Sequence, residues 1–249
     1  MLKTRVIPVL TIKDSKLVKS VQFTEHRNIG NYIAAVRVFN AREVDEMIFI
    51  DLDAYKTGLN IDLLKKITKE CFMPLAIGGG IKTLDDIRSL LKIGADKVVI
   101  NTAATKDRDF IKKASEMFGR QCIVVSIDAR KIGGKYKVFS QNGKVETGVS
   151  PDEWAAIVER QGAGEIFITS IDRDGMMNGY DVDLAKMVSS VVKIPVIVSG
   201  GAGNLEDFKN VIKNGNVSAV AAASIFQYTQ ITPNNIKQYL KDSGIETRI

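Results

Sequence analysis

The chain holds one histidine, His26, and two cysteines, Cys71 and Cys122, among 249 residues. A single imidazole excludes a histidine-rich metal centre and makes a Ser-His-Asp triad a poor basis for its chemistry. His26 stands between Glu25 and Arg27 and reads as a plain loop residue. The cysteines sit in apolar runs without metal-ligand spacing, so the expectation is a reduced, cytoplasmic protein rather than a disulfide scaffold. Long apolar runs are also missing. The start, MLKTRVIPVLTIKD, soon meets charge and is too brief for a signal peptide or a membrane span. There is no basic block: 35 Lys and Arg against 29 Asp and Glu leave a net charge of +6, spread along the chain. That spread argues against nucleic acid and suits small anions such as phosphates.

What is present is alternation. Short apolar runs at 6–10, 47–52, 74–77, 97–100, 122–127, 165–170, 195–199 and 217–221 read as strands buried on both faces. Between them lie segments of helical period, at 62–71, 84–92, 110–118, 151–161, 183–192 and 205–214. Pro151 suits a first helical turn with Ser150 as its cap. Eight strands alternating with helices imply parallel pairing, and a chain of this length closes most simply as a (β/α)8 barrel spanning 1–249. An open doubly wound sheet is the rival, but no GxGxxG follows the first run. Two stretches break the rhythm: the polar segment 13–27, and 136–147 around Asn142-Gly143, a hairpin turn signal. Both would lie at the C-terminal face of a barrel, where such folds build their chemistry.

The chain also repeats itself. PLAIGGGIKTLDDIRSLLKIGA from Pro74 aligns without a gap on PVIVSGGAGNLEDFKNVIKNGN from Pro195, and EMIFIDLD from Glu46 aligns on EIFITSID from Glu165. The nearly constant shift, close to half the chain, predicts two similar (βα)4 halves that meet near residue 120. Each half carries a glycine set after a strand, Gly78-Gly79-Gly80 and Gly200-Gly201, followed by Asn101-Thr102 and Ala223-Ser224 after the next. Glycine lets backbone N–H groups approach an anion, so two sets at one mouth predict a small molecule with a phosphate at each end. Carboxylates stand at strand ends as well: Asp51, Asp53, Asp128, Asp172 and Asp174. Asp128 closes its run and is placed for proton transfer, or else anchors a loop. Its partner in the repeat is Thr11, which exchanges hydrogen bonds but is no carboxylate acid or base. Arg5, Glu46, Lys97 and Glu165 begin otherwise apolar strands. They either close the floor as a neutral ring or face solvent.

These residues resemble a known family. RVIP, LAIGGGI, ADKVVINTAA, VVSIDAR, GAGEIFITSIDRDG and VSGGAG are similar to the cyclase subunit of imidazole glycerol phosphate synthase, HisF, over nearly the whole chain. The resemblance implies a HisH-like glutaminase docked on the barrel floor. Its ammonia crosses a charged gate, matched here by Arg5, Glu46, Lys97 and Glu165, and meets a bisphosphorylated substrate at the mouth. The phosphate sites match Gly80, Asn101 and Thr102 in one half. In the other they match Gly175, Gly201 and Ser224, with Asp174 beside them. The loop lysine matches Lys19 and one catalytic aspartate matches Asp128. No metal or organic cofactor, nucleic acid or membrane is implied.

Three positions depart from the family pattern. The other catalytic aspartate falls at Thr11, the stretch after strand 8 reads Phe226-Gln227-Tyr228 instead of Phe-His-Phe, and DLDAY replaces Asp-Ile-Thr-Ala at Asp51. These features are similar to a second group of cyclase-like proteins, which pass ammonia to an N-acetyl sugar amidotransferase for surface glycans. The leading expectation is such a relay subunit. The alternative is authentic cyclisation in histidine synthesis. It would lack one member of an acid–base pair, a loss of about 10²–10⁴ in rate. A non-catalytic scaffold that activates a glutaminase and a sugar-phosphate isomerase on the same plan are further readings.

Overall fold

The structure, a computed structural model, describes residues 3–248, so Met1, Leu2 and Ile249 of the expected 1–249 domain lie outside it. Eight parallel strands form a closed barrel: β1 Arg5–Lys13, β2 Met47–Asp51, β3 Leu75–Gly78, β4 Lys97–Ile100, β5 Ile123–Ile132, β6 Glu165–Ser170, β7 Val196–Ser199 and β8 Ala219–Ala222. β8 pairs with β1, and β5 with β6, which completes the circle. The helices outside are α1 Tyr32–Ala41, α2 Ile61–Glu70, α3 Leu84–Lys92, α4 Asp109–Phe118, α5 Pro151–Arg160, α6 Val182–Ser189, α7 Leu205–Gly215 and α8 Pro233–Asp242. The chain is therefore a (β/α)8 barrel, as the alternation predicts. Among the described residues no helix is long and apolar enough to cross a membrane.

Both faces of each strand are apolar because both are covered, from outside by helices and from inside by other strands. The outward set includes Val6, Leu10, Phe49, Ile77, Val98, Ile127 and Val198, buried against the helices. The inward set is Ile7, Val9, Ile48, Ala76, Val99, Val124, Phe167, Ile197, Ala219 and Ala221. Helix starts are fixed by side chains. Thr83 and Asn204 form capping boxes with Asp86 and Asp207 at matching places in the two halves. Ser150 and Thr232 cap helices that open on Pro151 and Pro233.

The two irregular stretches are hairpins at equivalent places. β1 turns at Asp14-Ser15 into an antiparallel strand Lys16–Val21, which pairs on with Glu25–Gly30. β5 turns at Gly133-Gly134 into Lys135–Ser140. Asn142-Gly143 makes the next turn, into the short strand Val145–Glu146. The apolar run at 6–10 thus understates β1, which continues through polar residues to Lys13 because the hairpin pairs with it.

Glycine is required where neighbouring loops touch. Gly79 and Gly200 adopt φ of 99° and 94°, and a Cβ there would strike the carbonyl oxygens of Asp51 and Ser170, which are themselves partners in the repeat. In the outer core, Phe208 of α7 is fully buried and meets Tyr180 edge to face with ring centroids 5.5 Å apart. Phe208→Ala is expected to lower unfolding free energy by about 3–5 kcal/mol, read from the urea midpoint.

Candidate functional site

Alternation along the strands stacks the inward side chains in tiers. At the N-terminal end they are charged. Arg5 Nη1 lies 2.6 Å from Glu46 Oε2 and Nη2 lies 2.8 Å from Glu165 Oε1. Lys97 Nζ lies 2.8 Å from Glu46 Oε1 and 2.8 Å from Glu165 Oε2. Each cation bridges both anions, so the four close a neutral ring. The sequence left open whether these charges pair or face solvent, and they pair. Burial alone would lower the Arg5 pKa, but Glu165 and Glu46 outweigh it and the guanidinium is held above its usual value. A buried ring of this kind persists only when every member is satisfied. Asp45 supports it from outside, taking the Val6 N–H at 3.0 Å and the Lys237 ammonium at 2.8 Å. That pair ties the starts of β1 and β2 to α8.

Above the ring lies an apolar girdle of Ile7, Ile48, Ala76, Val99, Val124, Phe167, Ile197 and Ala219. Above the girdle opens a mouth cavity of about 470 Å³ that reaches down to Val9, Ile50, Val99 and Phe167. It gathers Thr11, Lys19, Gly80, Asn101, Thr102, Asp128, Asp174, Gly175, Gly201 and Ser224 from distant parts of the chain.

Asp128, like Asp51 and Asp174, is buried in this mouth. Ser126 Oγ donates to its Oδ1 at 3.1 Å and Asn101 Nδ2 to its Oδ2 at 2.8 Å. Burial raises its pKa to about 7; the two donors pull it back part of the way and the Asp174 charge pushes it up. Thr11 lines the same cavity as Asp128. Its Oγ1 donates to the Val18 carbonyl at 2.6 Å, within the first hairpin. Lys19 Nζ pairs with Asp174 Oδ1 at 2.9 Å, and Ser20 Oγ donates to Asp174 Oδ2 at 2.7 Å. The remaining strand-end carboxylates serve loop backbone: Asp51 takes the N–H of Asp53, Asp53 that of Asp14, and Asp172 that of Lys131.

The hairpins cross over. The first, by Lys19, Ser20 and Gln22, leans on Asp172 and Asp174 in the second half. The second leans on the first half, where the Gln141 N–H meets Thr102 Oγ1 at 3.2 Å and Asn142 Nδ2 meets the Leu52 carbonyl at 2.9 Å. Two buried polar atoms at the mouth, Asn101 Oδ1 and Ser224 Oγ, have no partner among the described residues. They stand at the heads of the short helices Thr102–Lys106 and Ser224–Tyr228, one in each half.

His26 corrects the loop reading. It lies on the strand Glu25–Gly30 and lines the mouth cavity. Burial, then the Lys13 charge, lowers its pKa from the usual histidine value. Its flanking charges gave no sign of this; only the hairpin fold brings it inward. Ser126 was also overlooked, although it stands two residues before Asp128 on the same strand face, a period-two signal. Among the described residues no cluster of three or more His, Cys, Asp or Glu is placed to hold a metal ion. Cys71 and Cys122 are free, and burial pushes the Cys71 thiol up to about 11.

A charged floor, an apolar girdle and a twin-cradled mouth define a class of barrel that comparison with known proteins specifies. Residues 5–232 match the family of histidine biosynthesis proteins. A Campylobacter jejuni protein with the provisional name imidazole glycerol phosphate synthase subunit hisF2 is 44% identical over 250 residues, covering 100% of both chains. The imidazole glycerol phosphate synthase subunit HisF of Natranaerobius thermophilus is 44% identical over 251 residues, again with 100% of both covered. The chain belongs to the HisF family of histidine biosynthesis proteins.

The Asp128 carboxyl is expected to titrate near pH 7 when followed by its ¹³C NMR shift, and Asn101→Ala, which removes a donor to the charged form, should raise that value further. Because the folded state holds this proton more tightly than the unfolded chain, Asp128 makes stability fall as pH rises from about 4 to about 7. Asp128→Asn should flatten that slope. Titration near pH 4 would contradict the geometry.

Proposed function

We propose that this barrel is the synthase-side subunit of a glutamine amidotransferase complex. A HisH-like glutaminase docks on the floor and releases ammonia beneath the ring of Arg5, Glu46, Lys97 and Glu165. The ring seals the barrel while its ion pairs are intact, and docking that draws Lys97 away from one glutamate opens it. The girdle above admits neutral ammonia and rejects ammonium, because nothing there would solvate a charge. At the mouth, Asp128 receives the molecule. As a carboxylate it accepts an N–H; when protonated it donates to the nitrogen lone pair.

The ammonia then passes on to an N-acetyl sugar amidotransferase that builds surface glycans. The observation that carries this reading is Thr11. At the position of the cyclase's second carboxylate stands a hydroxyl whose one proton is committed to the Val18 carbonyl. Carboxylate proton exchange at that point of the mouth is lost, while the four residues that match the family's gate are all present.

A second reading is cyclisation proper, in which ammonia and a bisphosphorylated ribotide give imidazole glycerol phosphate and an aminoimidazole carboxamide ribotide. The open cradles favour it. The Ser224 hydroxyl has a proton free to donate to a phosphate, with Lys82 and Lys106 at the edge of the same cavity. Phosphates there, at Gly80, Asn101 and Thr102 and at Asp174, Gly175, Gly201 and Ser224, fit both readings if the relay has kept its ancestral ligand.

The two readings separate in one assay. With free ammonium and the bisphosphorylated ribotide, a relay subunit turns over about 10²–10⁴ times more slowly than the Natranaerobius HisF, as expected for loss of one acid–base partner. Turnover equal to that protein's overturns the relay and establishes the cyclase. Copurification with both a glutaminase and a sugar amidotransferase is the matching positive result.

A further inference from the structure

The two halves solve one problem differently, and the difference falls on residue 11. In the second half, Phe139 stands opposite Asp128 in the hairpin ladder. The Asn101 amide serves both residues: its Nδ2 donates to Asp128 Oδ2 at 2.8 Å and to the Phe139 carbonyl at 3.3 Å. In the first half, Val18 stands opposite Thr11. The residue that corresponds there to Asn101 is Ala223, one position before Ser224 as Asn101 is one before Thr102. Alanine has no donor. The Val18 carbonyl takes its side-chain hydrogen bond from Thr11 Oγ1, at 2.6 Å.

We infer that Thr11 is a positioning residue that latches the first hairpin over the mouth and, through it, sets Lys19 and Ser20 against Asp174. A carboxylate at position 11 has no proton to give and would face the Val18 carbonyl oxygen with like charge. The hairpin needs such a latch. Its turn residues Asp14 and Ser15 hold φ of 49° and 56°. The second hairpin places Gly133 and Gly134, at 55° and 80°, in the same role. Left-handed backbone is free for glycine and costs other residues stability, so the first turn persists only where its surroundings hold it. Beside the ladder to β1, the buried Leu17 and Val18 and the Gln22 N–H on the Asp174 carbonyl, the side-chain hydrogen bonds that hold it are Thr11 to Val18, the Asp14 N–H to Asp53 Oδ2 at 2.5 Å, and Lys19, Ser20 and Gln22 to the loop after β6. Val18 directly precedes the two residues that grip Asp174, so releasing it loosens that grip. Thr11→Asp is thus more than the return of an acid: it unlatches the hairpin.

The test is amide hydrogen exchange on the full chain, without substrate or partner, so its outcome is independent of the proposed function. Exchange is compared in the strand Lys16–Val21 and, as a control for global unfolding, in α7. Thr11→Ser keeps the donor and should match the wild type. Thr11→Val and Thr11→Asp should speed exchange in Lys16–Val21 by about fivefold or more, the worth of one hydrogen bond, with α7 unchanged. The double variant Thr11→Asp with Ala223→Asn reproduces the second half's arrangement and should restore protection. Thr11→Val exchanging as slowly as the wild type would overturn the inference. So would Thr11→Ser behaving like Thr11→Val. Should Thr11→Val fail to fold, the Thr11→Asp variant and its Ala223→Asn partner decide: no gain in protection from the second substitution overturns the latch.

Discussion

The floor of this barrel is a closed circuit of four ion pairs, and the layers above depend on it. Arg5 and Lys97 each bridge Glu46 and Glu165, so no charge in the ring has a single partner. A lone charge there would face the apolar girdle and pull water into the core. Four charges summing to zero end the strands without doing so. Under the proposed function the same closure is a seal that a docking partner opens by moving one side chain, with the interior above selective for a neutral molecule. The support from Asp45 and Lys237 matters for this reason: it fixes the starts of β1 and β2, from which Arg5 and Glu46 project.

The two halves share more than sequence. Capping boxes, glycine contacts and hairpins recur at matching places, and each hairpin reaches across to the other half's cradle. Where the halves diverge, the chemistry diverges with them. At the second hairpin, Asn101 from the first half feeds a carboxylate and a hairpin carbonyl together. At the first hairpin the second half supplies Ala223 instead, and the Thr11 hydroxyl serves the carbonyl alone. The mouth therefore sets the buried Asp128 carboxylate on one side against a hydrogen-bonded threonine on the other. Relay of ammonia and a slow residual cyclisation both fit that arrangement; symmetric acid–base catalysis does not.

Much of this was legible in the residues. Parallel strands buried on both faces are uniformly apolar, so β2 to β8 stand out as runs, and the Asn142-Gly143 turn is plain. Helix α1 was not legible, because YIAAVRVFNA is apolar on most sides and lacks a clear period. Helix α8 carries a local signal, since Thr232-Pro233 repeats the cap seen at Ser150-Pro151. The strand Lys16–Val21 hid in a polar stretch because its pairing energy comes from β1 and not from its own pattern. The contact of Lys19 with Asp174 joins residues 155 apart in the chain, and His26 turns inward only through the hairpin. Spacing could nominate the ring charges but not decide between pairing and solvation, which depends on how far the barrel closes around them.

The claim beneath the whole account is that the floor charges act as one unit, and a double-mutant cycle on Lys97→Met and Glu165→Gln measures that directly. Each single change strands a buried partner, while the double change removes both ends of one ion pair. The account predicts a coupling free energy of at least about 1 kcal/mol at equilibrium unfolding, the range for groups in one buried network. Additivity within about 0.3 kcal/mol would show four independent charges and contradict the closed floor.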